Sequence, residues 1–339
     1  MVKISVIDGD GIGPKVVRSA IRVLEEVADL YNLSLEFIDA PAGDNVLREF
    51  GEALPKDSLD KIVNSEACFK GPIGETAKEV IVFLRQHLDL YANIRPFKTF
   101  RGVKSFWKDV DLVIVRENTE DLYRGVEDLG PDHAVALLII TRKRTERIAK
   151  IAFDMALKRR RKVTIVHKGN VLKSYSFFRD VALEVGKRYH DVTVEDMYVD
   201  NAAYQLIINP KRFDVLLTPN MFGDILSDEA AGLVGSLGLT CSANVSDEYG
   251  LFEPVHGSAP DIDPEYANPL GQILTGSMML EWLSYRKGRK EFAEASELIR
   301  EAVETVLQDR TVMTPDLGGF AKTDDLILKV IQYIKKKLI

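Results

Sequence analysis

Two aspartates, Asp224 and Asp228, stand four residues apart in the segment 223–228. On a helix this spacing places both carboxylates on one face, one turn apart. Neighbouring carboxylates repel each other unless a cation lies between them, and their oxygens suit Mg²⁺ or Mn²⁺. A solvated helix face is the usual alternative, but the surrounding residues are apolar: Ile225, Leu226, Ala230 and Ala231. Asp200, which follows a predicted strand, is a candidate third ligand, so the pattern indicates a divalent-metal site.

Three arginines stand where apolar runs begin or end. Arg85 and Arg95 flank the segment 88–93, and Arg116 closes the run 112–115. An arginine that leaves an apolar run needs an anion or solvent, and its forked guanidinium matches the geometry of a carboxylate. One such arginine usually forms a salt bridge, whereas three indicate a substrate with more than one carboxylate.

Two glycine-bearing segments raise the question of nucleotide binding. The turn 9–13 has glycines at alternate positions and is followed by Pro14, which departs from the spacing of the dinucleotide fingerprint. Cofactor contact and a tight strand-to-helix turn both remain open for it. The loop 252–262 holds Glu253, His256 and Asp261. A lone histidine is usually structural, but a carboxylate in such a loop could accept hydrogen bonds from both ribose hydroxyls.

Short apolar runs alternate with longer amphipathic stretches, which is typical of an α/β fold. The apolar runs predict strands over residues 3–7, 35–40, 111–116, 135–141, 163–167, 192–199 and 214–218. The amphipathic stretches predict helices over residues 14–30, from 142 to about 158, and over 224–236, 291–309 and 324–337. The basic run 158–162 is interpreted as a solvated helix end. No linker marks a domain boundary.

The composition of the 339 residues is that of an ordinary globular protein, with 46% hydrophobic residues and a net charge of -7. An acidic chain argues against nucleic acid as a partner. The two cysteines, Cys68 and Cys241, lie far apart in the sequence, so we expect buried free thiols in a reducing compartment. No apolar stretch approaches the ~20 residues of a membrane helix. We therefore expect a cytoplasmic protein without a membrane segment.

Taken in order, these segments resemble the β-decarboxylating dehydrogenase family, which contains isopropylmalate, isocitrate, homoisocitrate and tartrate dehydrogenases. The resemblance runs from Gly9 to Asp324, and it rests on the combination and order of the motifs. The matching motifs are at residues 9–14, 84–86, 92–96, 115–121, 167–170, 223–228, 253–261 and 314–319.

The resemblance implies a two-domain α/β fold of the isopropylmalate dehydrogenase type, distinct from the standard Rossmann fold. Residues 1–91 plus 236–339 would form a large cofactor-binding domain. Residues 92–235 would form a small domain that carries the dimer interface. The cleft between the domains would hold the active site, which the two subunits of a homodimer would share.

The resemblance also implies a role for each matching residue. Lys168 would handle the hydroxyl proton of a 2-hydroxy acid, and Tyr123 would protonate the enol carbon after CO₂ leaves. Asp224 and Asp228 would bind Mg²⁺ or Mn²⁺ together with Asp200 of the other subunit. The substrate carboxylates would be bound by Arg85, Arg95 and Arg116. NAD would be bound by Thr76, Glu253, His256, Gly257, Ser258, Ala259, Pro260, Asp261, Ile262 and Asn268.

The substrate itself is expected from Ile81 and Val82, which would lie one helical turn before Arg85. In the family this turn contacts the group that differs between substrates, and bulky aliphatic residues there imply 3-isopropylmalate, an intermediate of leucine biosynthesis. Lys78 departs from that pattern, so homoisocitrate and isocitrate remain alternatives. Ile81 and Val82 could instead face the core. A non-catalytic regulatory subunit is disfavoured because every catalytic residue is present.

Overall fold

The structure is a computed structural model, and it describes residues 1–337. In this range the strands are β1 (Val2–Ile7), β2 (Leu35–Asp39), β3 (Ala67–Lys70), β4 (Ala92–Lys98), β5 (Asp111–Glu117), β6 (Glu127–Leu129), β7 (Ala134–Ala136), β8 (Lys162–His167), β9 (Thr193–Tyr198), β10 (Val215–Thr218), β11 (Cys241–Val245) and β12 (Gly250–Pro254). The helices are α1 (Gly13–Leu30), α2 (Asp44–Phe50), α3 (Lys56–Val63), α4 (Glu79–His87), α5 (Arg142–Leu157), α6 (Lys173–Gly186), α7 (Val199–Ile208), α8 (Asn220–Val234), α9 (Leu270–Lys287), α10 (Lys290–Asp309) and α11 (Thr323–Lys336).

One mixed sheet of ten strands runs through the molecule in the order β2-β1-β3-β12-β11-β4-β5-β10-β8-β9. Its outer parts are parallel, whereas the pairs β12–β11, β11–β4 and β4–β5 are antiparallel. The first five strands come from the two ends of the chain and the last five from its middle, and the change falls between β11 and β4. This arrangement confirms the α/β class. The division into residues 1–91 plus 236–339 and 92–235 stays a prediction.

The middle of β5 is apolar on both faces because helices cover both sides of the sheet. In β5, Val113 and Val115 belong to the core cluster that includes α5, whereas Leu112 and Ile114 belong to a second cluster with α8. Helices α1, α9, α10 and α11 pack together in the first of these clusters. Within residues 1–337, no helix has both the length and the apolar character needed to span a membrane.

Three neighbouring strands, β5, β10 and β8, are parallel, so their carboxyl ends meet at one edge of the sheet. Arg116 lies at this end of β5, and Lys168 follows β8 directly. Strand β10 leads after one residue, Pro219, into α8. Ligands of open α/β sheets bind beyond the carboxyl ends of the strands, which makes this edge the place for a site.

The strand predicted over residues 135–141 is wrong. Only Ala134–Ala136 is extended, and it pairs with β6 in a hairpin whose Val135 is 47% exposed. Thr141 instead caps α5, since its side chain accepts a hydrogen bond from Arg144 N and its own N–H donates to Glu120 Oε2. The helix predicted from residue 224 begins earlier, at Asn220. The other predicted strands and helices are confirmed to within about two residues at most ends.

The glycine turn 9–13 is a tight junction between β1 and α1. Gly9 and Gly11 have positive φ angles of 74° and 57°. A Cβ at Gly11 would overlap the carbonyl oxygen of Ser258, which also accepts a hydrogen bond from Ile12 N at 3.0 Å. The turn therefore requires glycine, and it fixes the loop that follows β12.

The two cysteines are free and buried, as expected. Burial raises the pKa of the Cys68 thiol and of the Cys241 thiol to about 12. Both thiols are therefore protonated and behave as small apolar groups in the core.

Candidate active site

Arg116 reaches from the end of β5 to the first two turns of α8. Its Nε donates to the backbone oxygen and to Oδ1 of Asn220, both at 2.9 Å, and its Nη1 donates to Asp224 Oδ1 at 2.5 Å. This close approach depends on Gly223, where a Cβ would overlap Thr218 Oγ1 and lie 2.7 Å from Arg116 Cγ. The guanidinium is thus held against α8 by contacts on several of its nitrogens.

Asp224 accepts hydrogen bonds from two further side chains. Arg95 Nη1 donates to Oδ1 at 3.3 Å, and Tyr123 Oη donates to Oδ2 at 2.7 Å. The guanidinium of Arg116 also stacks over the Tyr123 ring, 5.1 Å from its centroid. The Asp224 side chain keeps 38% of its surface exposed, so this carboxylate remains open to a ligand.

The turn that carries Tyr123 has a strained backbone. Asp121 adopts φ 66° and ψ -149°, a conformation that side-chain-bearing residues rarely occupy and that costs ~1–3 kcal/mol. Its carboxylate accepts hydrogen bonds from Tyr175 Oη at 2.9 Å and from Met221 N, in the first turn of α8, at 3.0 Å. These contacts hold the strained turn and so set Tyr123 against Asp224.

Buried positive charge dominates this cluster. Burial lowers the pKa of Arg116 to about 9, with repulsion from Arg95 as the next cause, and burial also lowers the pKa of Arg95. Burial alone would raise the pKa of Asp224, but Arg116 and Arg95 outweigh it and lower that pKa. Asp224 is therefore ionised at neutral pH. Three carboxylates, those of Asp224, Asp228 and Glu253, face four cations, those of Arg85, Arg95, Arg116 and Lys70. One positive charge is left over, which suits an anionic ligand.

The third predicted arginine, Arg85 on α4, belongs to a buried ion-pair group with Glu253 and Lys70. Arg85 Nη2 donates to Glu253 Oε1 at 3.1 Å, and Lys70 Nζ donates to Oε2 at 2.7 Å. Burial would raise the pKa of Glu253, but Lys70 and Arg85 lower it below its usual range. Both oxygens of Glu253 thus already bind cations, so its expected contact with NAD stays a prediction.

Lys168 and Asp200 form a separate pair. Lys168 Nζ donates to Asp200 Oδ1 at 2.6 Å, and this contact lowers the pKa of Asp200, whose side chain is 64% exposed. Across residues 1–337, no hydrogen bond or ion pair joins the two residues to Asp224. Within one chain, Arg95, Arg116 and Tyr123 therefore contact Asp224. In the range that the structure describes, the pair of Lys168 and Asp200 makes no hydrogen bond or ion pair with that group.

Asp228 is exposed and lies one helical turn after Asp224 on α8. The prediction that both carboxylates stand one turn apart on a helix is therefore confirmed. In the described part of the chain, no three His, Cys, Asp or Glu side chains come together as a metal site. A single chain thus offers two hard oxygen ligands at this position. A divalent cation there would need further oxygens from water, from a substrate or from a second chain.

The loop after β12 presents the residues expected at the cofactor. His256 Nδ1 donates to Gly257 O at 2.9 Å, and burial lowers the pKa of His256. Its Nε2 is buried without a partner within residues 1–337, an unpaired polar atom in this loop. Ala259 is held at φ 45°, and Asp261 is exposed, with its carboxylate open to a ligand.

Two other residues expected to contact the cofactor have hydrogen-bond partners within the chain. Thr76 is exposed and donates to Asp44 Oδ1 at 2.6 Å, whereas Asn268 is buried and donates to Asp316 Oδ2 at 2.9 Å. Ile81 packs against the core cluster that contains Leu84. Val82 is half-buried and belongs to none of the core clusters, so Val82 is the better placed of the two to contact a ligand.

The family model for isocitrate/isopropylmalate dehydrogenase matches residues 3–330. The chain belongs to this family. A 3-isopropylmalate dehydrogenase of Sulfurisphaera tokodaii is 47% identical over 96% of this chain and 97% of its own length. A homoisocitrate dehydrogenase of Methanocaldococcus jannaschii is 44% identical over 100% of this chain and 99% of its own. The crystal structure of an isocitrate dehydrogenase from Methylococcus capsulatus matches with a TM-score of 0.92 at 42% identity, covering 99% of this chain and 100% of that one.

In this member of the isocitrate/isopropylmalate dehydrogenase family, several buried polar residues beside the arginines were missed by the sequence analysis. Lys70 carried a signal, since a lysine that ends the apolar run 67–69 must find an anion. The asparagines carried none, because an amide is common in many contexts: Asn93, Asn118, Asn220 and Asn244.

Proposed function

We propose that this enzyme catalyses the oxidative decarboxylation of 3-isopropylmalate with NAD and with Mg²⁺ or Mn²⁺, a step of leucine biosynthesis. The observation that carries the proposal is the set of three buried arginines, one of which, Arg85, follows the half-buried aliphatic residue Val82 by one turn of α4. Such a site suits a substrate with two carboxylates and a branched alkyl group. Of the two curated relatives named above, the 3-isopropylmalate dehydrogenase is the more similar, at 47% identity against 44% for the homoisocitrate dehydrogenase, which supports 3-isopropylmalate as the substrate.

The carboxylates of the substrate would bind to the arginines. Arg85 donates to protein groups only through Nη2, and Arg95 only through Nε and Nη1, within residues 1–337. One terminal nitrogen of each guanidinium is thus left for a ligand. Because guanidinium groups bind carboxylates in a fixed planar geometry, these nitrogens would orient the malate part of the substrate.

The alkyl group of the substrate would contact the first turn of α4. A carboxylate without a partner against Val82 would cost several kcal/mol, whereas an isopropyl group would gain ~1.5–3 kcal/mol there. Homoisocitrate is the second candidate, because Lys78 is exposed at the start of α4 and could meet a third carboxylate. Val82 is closer than Lys78 to Arg85 along the helix, which favours 3-isopropylmalate.

The cation would be bound by Asp224 and Asp228, with Asp200 supplied by a second subunit. The donor set fits Mg²⁺ or Mn²⁺, since all three are carboxylates and Asp224 is ionised at neutral pH. A divalent cation held there supplies electrostatic stabilisation for negative charge on the substrate oxygen.

Two residues would move protons. Lys168 of the partner subunit would take up the proton of the substrate hydroxyl, directly or through a water or a carboxylate. Tyr123 would give its phenolic proton to the carbon that loses CO₂. Burial, with the hydrogen bond to Asp224 as the next cause, raises the pKa of Tyr123. The phenol therefore stays protonated at neutral pH, as an acid must before it acts.

NAD would bind along the loop after β12. When bound, it supplies the acceptor for the hydride of the 2-hydroxy carbon. The exposed carboxylate of Asp261 would accept hydrogen bonds from the free ribose hydroxyls, and it would repel the extra phosphate of NADP.

A homodimer would complete the site. Several apolar side chains of α7, α8 and the β6–β7 hairpin are exposed in one chain: Leu129 84%, Tyr204 57%, Ile207 56% and Ile225 61%. A homodimer interface formed by α7, α8 and this hairpin would bury these side chains. The two buried free thiols agree with a reducing compartment such as the cytoplasm.

A substrate panel tests the proposal. Purified enzyme is supplied with Mg²⁺ or Mn²⁺ and with 3-isopropylmalate, isocitrate or homoisocitrate, and NADH formation is followed by its absorbance. We expect the highest kcat/KM with 3-isopropylmalate and NAD, and loss of activity on addition of a chelator. A higher kcat/KM with either tricarboxylate would overturn the substrate assignment and leave the family membership intact.

A further inference from the structure

Buried polar side chains form a stripe across four neighbouring strands, β12, β11, β4 and β5, on one face of the sheet. Asn93 lies directly opposite Asn244 in the β4–β11 register and opposite Arg116 in the β4–β5 register. Arg95 shares this face because it stands two residues from Asn93. Asn93 and Asn244 are each 0% exposed. The stripe thus includes Arg95 and Arg116 of the candidate site.

Each hydrogen bond in the stripe has a fixed direction. Arg95 Nε can only donate, and it donates to Asn93 Oδ1 at 2.5 Å. Asn93 must therefore turn its Nδ2 to Asn244 Oδ1, at 3.1 Å. Asn244 Nδ2 in turn donates to Glu253 Oε1 at 2.8 Å, the same oxygen that accepts from Arg85 at 3.1 Å. The two amides thus connect Arg95 to the carboxylate that holds Arg85.

Side contacts hold the amides in place without entering this path. Asn93 Nδ2 also lies 2.7 Å from Ser242 Oγ, and Asn118 Nδ2 donates to Asn244 Oδ1 at 2.9 Å. A buried amide that loses a partner costs ~1–3 kcal/mol, so the orientation of each amide is strongly preferred. Reversal of either amide would place two donors or two acceptors face to face.

We propose that Asn93 and Asn244 are positioning residues that set the guanidinium groups of Arg95 and Arg85 relative to each other before substrate binds. The proposal rests on the proposed function in one respect, that these arginines bind the two carboxylates of a substituted malate. Prepositioned arginines lower the cost of ordering the site, so the effect belongs to substrate binding more than to the chemical step.

Replacement of Asn244 tests the proposal, because Asn244 contacts neither arginine directly. For Asn244→Ala we expect KM for the hydroxy acid to rise about tenfold or more, with kcat lowered less than about threefold. A purely structural role would lower the active fraction and hence kcat, and would leave KM as it is. That second pattern would overturn the proposal.

A matched control removes buried hydrogen bonds elsewhere. Ser296 is 0% exposed on α10 and bonds with Ser277 on α9, away from the stripe. Ser296→Ala should lower thermal stability and leave KM for the hydroxy acid unchanged. An equal rise in KM in this control would show that general loosening of the core, and not the stripe, sets substrate affinity.

Asn244→Asp gives a pH signature and keeps the test usable if the alanine variant folds poorly. The introduced carboxylate can still accept the hydrogen bond from Asn93, but at neutral pH it has no proton to donate to Glu253. As the pH falls, one proton can be shared between the new carboxyl group and Glu253, and this restores the hydrogen bond between them. The ratio of variant to wild-type KM should therefore fall toward acidic pH. A ratio independent of pH would contradict the directed chain.

The double variant Asn93→Ala with Asn244→Ala completes the test. If both residues act in one chain, the double variant should raise KM little more than the worse single variant, whereas multiplied effects would overturn the proposal. All variants are measured with whichever substrate the wild type prefers, since each candidate carries the same two carboxylates. The rise in melting temperature that this substrate causes without NAD gives a second measure of binding. A failure of the positioning proposal can therefore be told apart from a wrong substrate assignment.

Discussion

Arg116 and Asp224 meet at 2.5 Å between Nη1 and Oδ1, across the contact of β5 with α8. Arg116 is 1% exposed, whereas the Asp224 side chain is 38% exposed. The pair therefore joins a fixed buried cation to a carboxylate that a ligand can reach. Their distance depends on the backbone of α8 coming close to the Arg116 side chain.

Gly223→Ala should disrupt this pair. A Cβ at residue 223 would overlap Thr218 Oγ1 and crowd Arg116 Cγ, so the guanidinium must move away from Asp224. We expect kcat/KM to fall about ten- to a hundredfold, as for other small displacements of binding groups. Steady-state kinetics at saturating cation concentration measures the change.

The matched control is Gly232→Ala, on the same helix, where a Cβ would have no heavy atom within 4 Å. This substitution should keep activity and stabilise the chain by about 0.5–1 kcal/mol, because alanine favours the helix more than glycine does. Full activity of the residue 223 variant would show that Arg116 tolerates the shift.

Lys168→Ala and Asp224→Asn should each be nearly inactive as homodimers. If the two residues serve one site from different subunits, a heterodimer of the variants carries one site with both changes and one site with neither. Mixing, refolding and isolation of tagged heterodimers should then recover up to about half of the wild-type activity per dimer. Inactive heterodimers of demonstrated composition would place both residues in the same subunit.

The sequence predicted the elements that carry the site because their signals are local. The i and i+4 spacing of Asp224 and Asp228 and the ends of the apolar runs at Arg95 and Arg116 needed no knowledge of the tertiary fold. The strand predicted over residues 135–141 was too long, because the sequence pattern alone does not show whether a core packs against the segment.

The polar contacts beneath the site could not be predicted in the same way. Asn93 and Asn244 are 151 residues apart and meet only because β4 and β11 pair as antiparallel neighbours. Glu253 is expected at the cofactor from the family resemblance, and nothing in its surroundings in the sequence predicts that its carboxylate binds Lys70 from β3, which is 183 residues distant. Such pairings depend on strand order, which periodicity does not determine.

Asp261→Lys should erode the preference for NAD. The wild-type carboxylate is exposed in the loop after β12, and if NAD binds there, it would repel the extra phosphate of NADP. A lysine would attract that phosphate, so the ratio of kcat/KM for NAD to that for NADP should fall by about tenfold or more. Asp263→Lys, two residues along and also exposed, is the control and should leave the ratio unchanged. A wild-type preference for NADP would refute the assignment.

Glu253→Gln should destabilise the fold most at neutral pH. Burial opposes ionisation of Glu253, but Lys70 and Arg85 lower its pKa below the ordinary value of 4.5. A lowered folded-state pKa gives stability that is present above 4.5 and is lost as pH falls toward the folded-state value. The variant leaves two buried cations unpaired, at a cost of about 3–5 kcal/mol at neutral pH.

The difference in free energy of unfolding between wild type and Glu253→Gln should therefore shrink as pH is lowered below 4.5. Urea unfolding at a series of pH values measures it. Glu248→Gln is the control, since its carboxylate is 83% exposed and pairs with Arg286 at the surface. That variant should change stability by less than about 1 kcal/mol at any pH. A difference for Glu253→Gln that grows in acid would contradict the direction of the pKa.

Val82→Arg should shift substrate preference from 3-isopropylmalate toward the tricarboxylates. Val82 is half-buried on α4, three residues before Arg85, so a side chain there lies on the same helical face as that guanidinium. An arginine would remove apolar contact with the isopropyl group, worth ~1.5–3 kcal/mol, and would offer a partner to a third carboxylate. The expected change is a drop of about ten- to a hundredfold in kcat/KM for 3-isopropylmalate, with a rise for homoisocitrate or isocitrate.

Phe83→Arg is the matched control for Val82→Arg. Phe83 is the next residue on α4, is 46% exposed, and stacks on His87 at 5.2 Å between ring centroids, away from the face that carries Arg85. The same added charge on that face should leave the substrate ratio unchanged, because it would not meet the third carboxylate. If both variants shift the ratio equally, long-range charge determines preference. If Val82→Arg lowers kcat/KM for all three substrates alike, residue 82 does not contact the group by which they differ.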